Sequence, residues 1–310
     1  MSELKLIRKF RANPPTHPWI TVGPGQDCAI VSWNARRDLA YKIDQVIEGT
    51  HFVLTGPGAA RPFDVGWKAM AKACSDIAAT GFWPVAATVA VNLRKGSKEA
   101  LAMELYRGLT ACCRKYKFGL AGGDLATSEQ GLSVVVSLLG EGPRNSAWLR
   151  RGARAGDTLL VTGRLGASLH SRGHLRFSPR LPEAEKIRQI VPGAVHACID
   201  ITDGLSRDLH HLCQESGVGA TLDSQLIPFS AAARKIARAG GRSELEQALG
   251  DGEDFELLLA VESRAAERLL RRWRGRVPLT RIGRIERKLD ILIRTNGALQ
   301  RLTNVGYEHR

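Results

Sequence analysis

With 310 residues, the chain is long enough for two domains with cores of their own, and its 44% hydrophobic and 25% charged residues are those of an ordinary globular protein. No stretch reaches the ~18 uninterrupted apolar residues of a membrane-spanning helix, and MSELKLIRKF has no apolar run of the signal-peptide kind, so a cytoplasmic protein without a membrane partner is expected. The net charge of +14 favours anionic partners such as phosphorylated metabolites or nucleotides.

Strand-like and helical runs alternate along the chain. DCAIVSW (27–33) and DLAYKIDQVI (38–47) are rich in branched and aromatic residues, which suits strands. From 62 to 80 the pattern turns helical, with Trp67, Ala71, Cys74 and Ala78 on one face. VAATVAVNL (85–93) reads as a strand, 97–117 as a long helix, and GLSVVVSLLGEG (131–142) as the close of a first set of elements. The polar connector 143–157 marks a boundary, so the expected domains are 1–142 and 143–310. The second half starts over with TLLVTG, a helix after Gly166 and the HACIDI strand. A helix follows with Leu205, Leu209 and Leu212 on one face, then GATLD, two short helices, DFELLLAVE, a further helix, TRIGRI and LDILIRT. Two α/β domains of similar size follow from this order.

The six cysteines are dispersed and form no C-x-x-C pair, which reads as reduced intracellular thiols. LRRGAR (149–154) and RRWRGR (271–276) carry much of the basic excess, for which a solvated face is the plainer account and a nucleic-acid partner is not expected. There is no G-x-x-x-x-G-K-[ST] loop, no G-x-G-x-x-G after a strand, and no G-x-S-x-G elbow. His170 and His174 stand one helical turn apart without further zinc ligands and read as solvent-facing.

HACIDITDGL raises the question of why a buried-looking strand ends in two carboxylates, Asp200 and Asp203. Carboxylates leave water only when satisfied locally or when a cation sits between them. Asp27, Asp44, Asp76, Asp124, Asp200 and Asp203 all fall at expected strand ends, strand edges or helix starts. Each has a bland account: Asp203 as the helix N-cap, Asp76 as a surface partner of Lys72, opposite the Trp67 stripe. Taken together they suit a hard cation, which takes carboxylate, water and phosphate oxygens, and so suit phosphoryl transfer.

The blocks GQDCAIV, DQVIEGTHF, GWKAMAKACSDIAATGFWP, AGGDLATS, LRRGARAGD, ACIDITDGLSRDL, LGDGEDFEL and GYEH resemble, in this order, the thiamine-monophosphate kinases. SDIAATG with DITDGL is shared with the wider superfamily of aminoimidazole ribonucleotide synthetase, while EGTHF, GEDFEL and GYEH point to the kinase branch. The resemblance implies a two-domain PurM-like α/β fold, with an amino-terminal domain whose sheet joins that of a second subunit in a dimeric β-barrel. It implies transfer of the γ-phosphate of ATP onto thiamine monophosphate, with Mg²⁺ as the cofactor. Asp27, Asp44, Asp76, Asp124, Asp200 and Asp203 match the metal ligands, with Asp124 and Asp203 as the catalytic pair. Tyr106, Gly123, Asp124, Arg150 and Thr202 match positions that hold ATP, and His51, Glu253 and Tyr307 positions around the thiamine moiety.

The chain departs from the family pattern at Gln26, where a second aspartate is usual, at Lys42 and Ile43, where hydroxyls are usual, and at Leu125 and Ala126, where threonines are common. Each change removes oxygens from the surroundings of the phosphates. Two other functions stay open on the sequence: another ATP-using synthetase of the superfamily, or a degenerate descendant that binds ATP or nucleic acid.

Overall fold

The computed structural model describes residues 17–23 and 25–307. MSELKLIRKF, and Glu308 and His309 of the terminal GYEH block, lie outside the described residues.

Branched residues in alternation build a first sheet. β1 (Ile20–Val22), β2 (Ala29–Ser32) and β3 (Arg37–Ile47) form an antiparallel meander. α1 (Pro62–Ala79) opens on a proline, whose missing N–H is no loss in a first turn. β4 (Trp83–Arg94), α2 (Glu99–Tyr116), β5 (Gly119–Ser128) and β6 (Ser133–Pro143) complete the set, and the strand order is β1-β2-β3-β6-β4-β5. Period-two alternation sorts the two faces. Ala40, Val46, Val134, Val136 and Leu138 are buried on the face that carries α1, whereas Tyr41 and Ile43 point away and are 50% and 68% exposed. β5 has no counterpart among the expected elements, which pass from the 97–117 helix directly to GLSVVVSLLGEG. Glycine lowers strand propensity, yet the segment pairs in parallel with β4, and a Cβ at Gly123 would collide with the Val89 carbonyl.

The second half forms a second sheet. Its elements are β7 (Thr158–Thr162), α3 (Ser168–Ser171), α4 (Gly173–Arg176), α5 (Leu181–Ile190), β8 (Val195–Asp200), α6 (Leu205–Ser216) and β9 (Gly219–Asp223). Then come α7 (Ala231–Arg238), α8 (Glu244–Gly250), β10 (Leu257–Val261), α9 (Ser263–Arg272), β11 (Leu279–Glu286), β12 (Ile291–Thr295) and β13 (Ala298–Arg301). The order is β13-β12-β9-β11-β7-β10-β8, antiparallel throughout except for β9 with β12. The one helix expected after Gly166 is instead two short turns, α3 and α4, broken at Arg172 with φ of 60°.

The unbroken apolar run LLLAV in β10 marks a strand covered on both faces. Leu257, Leu259 and Val261 join the core shared with α1, α5 and α9, whereas Leu258 and Ala260 join a second core under α6 and α8. β8 alternates in the same way, so Cys198 packs in the α1 core while Ala197 and Ile199 pack in the other. Asp200 shares the parity of Cys198 and so faces α1. That helix packs on α2, β3 and β6 on one side and on α4, α5 and β8 on the other, which buries it nearly all round. All six cysteines are free and buried. Among the described residues, no helix is long and apolar enough to cross a membrane.

Candidate metal and phosphate centre

Three aspartates from distant segments meet where α1 faces β8. Asp27, Asp76 and Asp200 are 4%, 5% and 2% exposed, and each offers an oxygen within 4.8 Å of the others. Asp76 therefore departs from its bland account as a surface partner of Lys72. The face of α1 that carries Lys68, Lys72 and Asp76 meets both β3 and the second half of the chain rather than solvent. Asp76 pairs instead with Lys42, whose Nζ lies 2.7 Å from its Oδ1, and Lys72 pairs with Asp44 at 2.8 Å.

Cations thread this cluster. The Arg150 guanidinium donates Nε and Nη2 to Asp27 Oδ1 at 3.0 and 2.7 Å, and the Arg150 backbone N–H donates to Gln26 Oε1 at 2.6 Å. Gln26, which replaces a carboxylate of the family pattern, thus holds the arginine that clamps Asp27. Burial alone would depress Lys42, but Asp76 and Asp44 outweigh it and hold its ammonium above the usual lysine range. Burial, with Asp27 beside it, pushes the Asp200 carboxyl up to about 6. Burial, helped by Asp200, Asp44 and Asp27, pushes Asp76 well up in spite of Lys42. Asp200 Oδ2 is buried and has no hydrogen-bond partner among the described residues.

The sharp DITDG turn owes its shape to local chemistry. The Thr202 and Asp203 N–H groups both donate to Asp208 Oδ2, at 2.9 and 3.0 Å. Asp203 is not the N-cap of α6: Gly204 takes that place with φ of 111°, and a Cβ there would stand 2.6 Å from the Leu249 carbonyl oxygen. The backbones of Glu253 and Tyr307 then donate to the Thr202 and Asp203 carbonyls at 2.6 and 3.0 Å. Three segments far apart in sequence are laced into one wall in this way.

That wall and the aspartates line a cleft of about 210 Å³. Lys42, Asp44, Asp76, Arg150, Asp200, Thr202, Asp203, His51, Glu253 and Tyr307 all border it, so ten functional positions and their neighbours share one space. Lys68, absent from the sequence reading, holds part of it from beneath. Its wholly buried Nζ donates to both Glu253 carboxylate oxygens and to the His51 carbonyl, each at 2.8 Å. The signal lay in GWKAMAKACSD, where Lys68, Lys72 and Asp76 recur every four residues along one helix face.

Tyr106, Gly123 and Asp124 lie elsewhere. They border a largely apolar pocket of about 500 Å³ between α2 and the β4–β5 edge. Asp124 is exposed and pairs in register with Ala90, which pairs with Val135, whereas Asp44 pairs with Val136. Neighbouring register positions point to opposite faces, so Asp44 and Asp124 lie on opposite sides of one sheet. Ile43 shares the Asp124 side and does not face the buried aspartates of its own chain. His170 is exposed, while His174 is half-buried, with its Nδ1 3.2 Å from the Ser168 carbonyl.

An all-carboxylate donor set with an orphaned buried oxygen fits a hard divalent cation. Among the described residues, no other group of metal-binding side chains comes together.

The AIR synthase related protein family models match this chain, the N-terminal domain over residues 25–141 and the C-terminal domain over 154–293. The thiamine-monophosphate kinase of Rhodopirellula baltica is 38% identical over 91% of this chain and 89% of its own length. That of Aquifex aeolicus is 31% identical over 84% of this chain and 86% of its own length. A solved structure of AaThiL complexed with AMPPCP and TMP superposes with a TM-score of 0.83 at 29% identity, covering 100% of this chain and 97% of that one. The two sheets with their helices are the two-domain PurM-like fold that the resemblance implied. The chain belongs to the thiamine-monophosphate kinases within the AIR synthase related proteins.

Proposed function

We propose that the protein transfers the γ-phosphoryl group of ATP to the phosphate of thiamine monophosphate, giving thiamine diphosphate. The observation that carries this reading is that Asp76 and Asp200 of the Asp27–Asp76–Asp200 cluster share one cleft with His51, Glu253 and Tyr307. Metal-type carboxylates and the matching thiamine positions thus face each other across a space of ligand dimensions. Relatives named thiamine-monophosphate kinase, and a neighbour complexed with AMPPCP and TMP, support the same substrates.

Asp27, Asp76 and Asp200 would hold Mg²⁺, with Asp44 and Asp203 beside them. Bound there, the ion neutralises phosphate oxygens and lowers the cost of charge gathering on the leaving group. Phosphoryl transfer asks little covalent chemistry of a protein, and a phosphate acceptor needs no base to strip a proton from it. The chain's part is placement and fixed charge. Arg150, Lys42 and Lys72 present cations to the cleft, each oriented by an aspartate. Thr202 and Asp203 lie on the braced turn, and His51, Glu253 and Tyr307 bound the acceptor end.

Tyr106, Gly123 and Asp124 suit the nucleotide from the far side of the first sheet, which calls for a second copy of the chain. Tyr41, Ile43 and Val85 leave that open face 50%, 68% and 43% exposed, more apolar surface than a lone sheet carries comfortably. A homodimer built on this face, its sheets closing toward a barrel, would bring Asp124 of one protomer to the cleft of the other. We take 1–142 and 143–310 as the domains, since β6 ends at Pro143 and the second sheet opens at Thr158. Six buried free thiols suit a reducing, cytoplasmic setting.

Incubation with ATP, Mg²⁺ and thiamine monophosphate is expected to yield thiamine diphosphate and ADP in equal amounts, and EDTA is expected to stop it. ATP consumption without thiamine diphosphate would overturn the reading.

A further inference from the structure

The cleft carries its own cations at places where a carboxylate cluster would otherwise recruit metal. Asp27, Asp44, Asp76 and Asp200 are four carboxylates gathered at and around the buried cluster. Arg150, Lys42 and Lys72 return three positive charges, each within 2.8 Å of a different one of those carboxylates. Of the four, Asp200 is the one met by none of these cations at ion-pair distance among the described residues, and its buried Oδ2 has no hydrogen-bond partner. Charge and hydrogen-bond vacancy therefore converge on the same residue.

Lys42 is the informative member. Its side chain projects from β3 on the face covered by α1, in line with Ala40 and Val46, which are both fully buried. The Lys42 Nζ sits 2.7 Å from Asp76 Oδ1, and Asp76 is one of the three carboxylates whose oxygens lie within 4.8 Å of each other. An ammonium at 2.7 Å takes one lone pair of Asp76 Oδ1 and sets a full positive charge where a hard metal–oxygen bond of about 2.1–2.5 Å would have to form. The two cations compete for that carboxylate chiefly through their mutual repulsion. A lysine tethered at a buried strand position also dissociates from that oxygen less freely than an ion in solution.

We infer that Lys42 serves as a resident cation of this centre, occupying at Asp76 the coordination position of a divalent ion, so that the chain binds one divalent ion fewer than its carboxylates would otherwise take. This rests on the metal-centre reading given under the proposed function. Lys42 is a positioning and charge-supplying residue here, and the remaining ion is directed toward Asp200.

Metal counting tests it without recourse to turnover. Mn²⁺ is titrated into the nucleotide-free protein, and the bound ion per chain is read from the loss of the free Mn²⁺ electron paramagnetic resonance signal. Lys42→Met, which removes the charge and adds no oxygen, is expected to bind one more Mn²⁺ per chain than the wild type. Lys42→Arg, which keeps a cation, is expected to match the wild type. Equal counts for wild type and Lys42→Met would overturn the inference while leaving the metal centre standing. No Mn²⁺ bound by any of the proteins would overturn the metal-centre reading as well. Should Lys42→Met not fold, Lys42→Ala, which also removes the charge and adds no oxygen, gives the same comparison.

Discussion

Lys68 and Glu253, 185 residues apart, form a bidentate ion pair in which an ammonium with no solvent exposure meets a carboxylate on the cleft wall. The same ammonium holds the His51 carbonyl, so one side chain of α1 fixes two of the positions matched to the thiamine moiety. Burial lowers the Lys68 pKa despite the pull of Glu253, which marks how much this charge depends on its partner.

Lys68→Met should therefore act on stability and on the acceptor site together. Removing one partner of a buried pair typically costs about 3–5 kcal/mol, read as a lowered midpoint in urea. In the fraction that stays folded, KM for thiamine monophosphate should rise more than KM for ATP. The double change Lys68→Met with Glu253→Gln should recover part of the lost stability, because no uncompensated charge remains. Equal effects on both KM values would mean that the pair is merely structural.

Asp124→Asn should lower turnover by at least about a hundredfold, the scale of one lost group acting on developing charge. Thermal stability should stay within about 0.5 kcal/mol, since Asp124 is exposed on an edge strand and far from the buried cluster. If Asp124 serves the partner's cleft, mixing Asp124→Asn with Asp76→Asn chains should restore about a quarter of wild-type activity through heterodimers with one intact site. No recovery on mixing, under conditions where subunits exchange, would remove Asp124 from the partner's cleft.

The open sheet face can be tested by placing a charge on it. Ile43→Lys should weaken self-association at least about tenfold, because an ammonium buried in an apolar interface has no partner. Sedimentation velocity at micromolar concentration reads this directly. A wild type that sediments as a monomer would remove the proposed dimer.

His211 supplies a pH test. Burial, aided by Arg150 and Arg207, depresses its pKa to about 4. A histidine with a depressed pKa stays neutral in the folded chain while the unfolded chain takes up a proton below about 6.5. Its stabilising contribution is present above that value and is lost as pH falls toward about 4. His211→Gln should flatten the pH dependence of the urea midpoint between those limits, and an unchanged slope would assign the loss to other groups.

Much of this protein was legible along the chain. Strand and helix periods in DLAYKIDQVI, in 62–80 and in VAATVAVNL declare their elements, because alternation and 3.6-residue spacing are local consequences of which face is buried. DITDGL declared its importance through carboxylates set where an apolar strand ends, and GEDFEL only through the family resemblance. β5 was not legible, because its glycines argue against a strand and the one at position 123 is explained only by the neighbouring Val89 carbonyl. Pairing was not legible either. Lys72 was within one helical turn of Asp76 in sequence, yet it bonds Asp44, and Asp76 takes Lys42 from another element. A charge chooses its partner by distance and by the water excluded around it, and both are set by how α1 is wedged between the two sheets. For the same reason the sequence could group six aspartates by type and position, but only the register of β3, β6, β4 and β5 put Asp44 and Asp124 on opposite sides of one sheet.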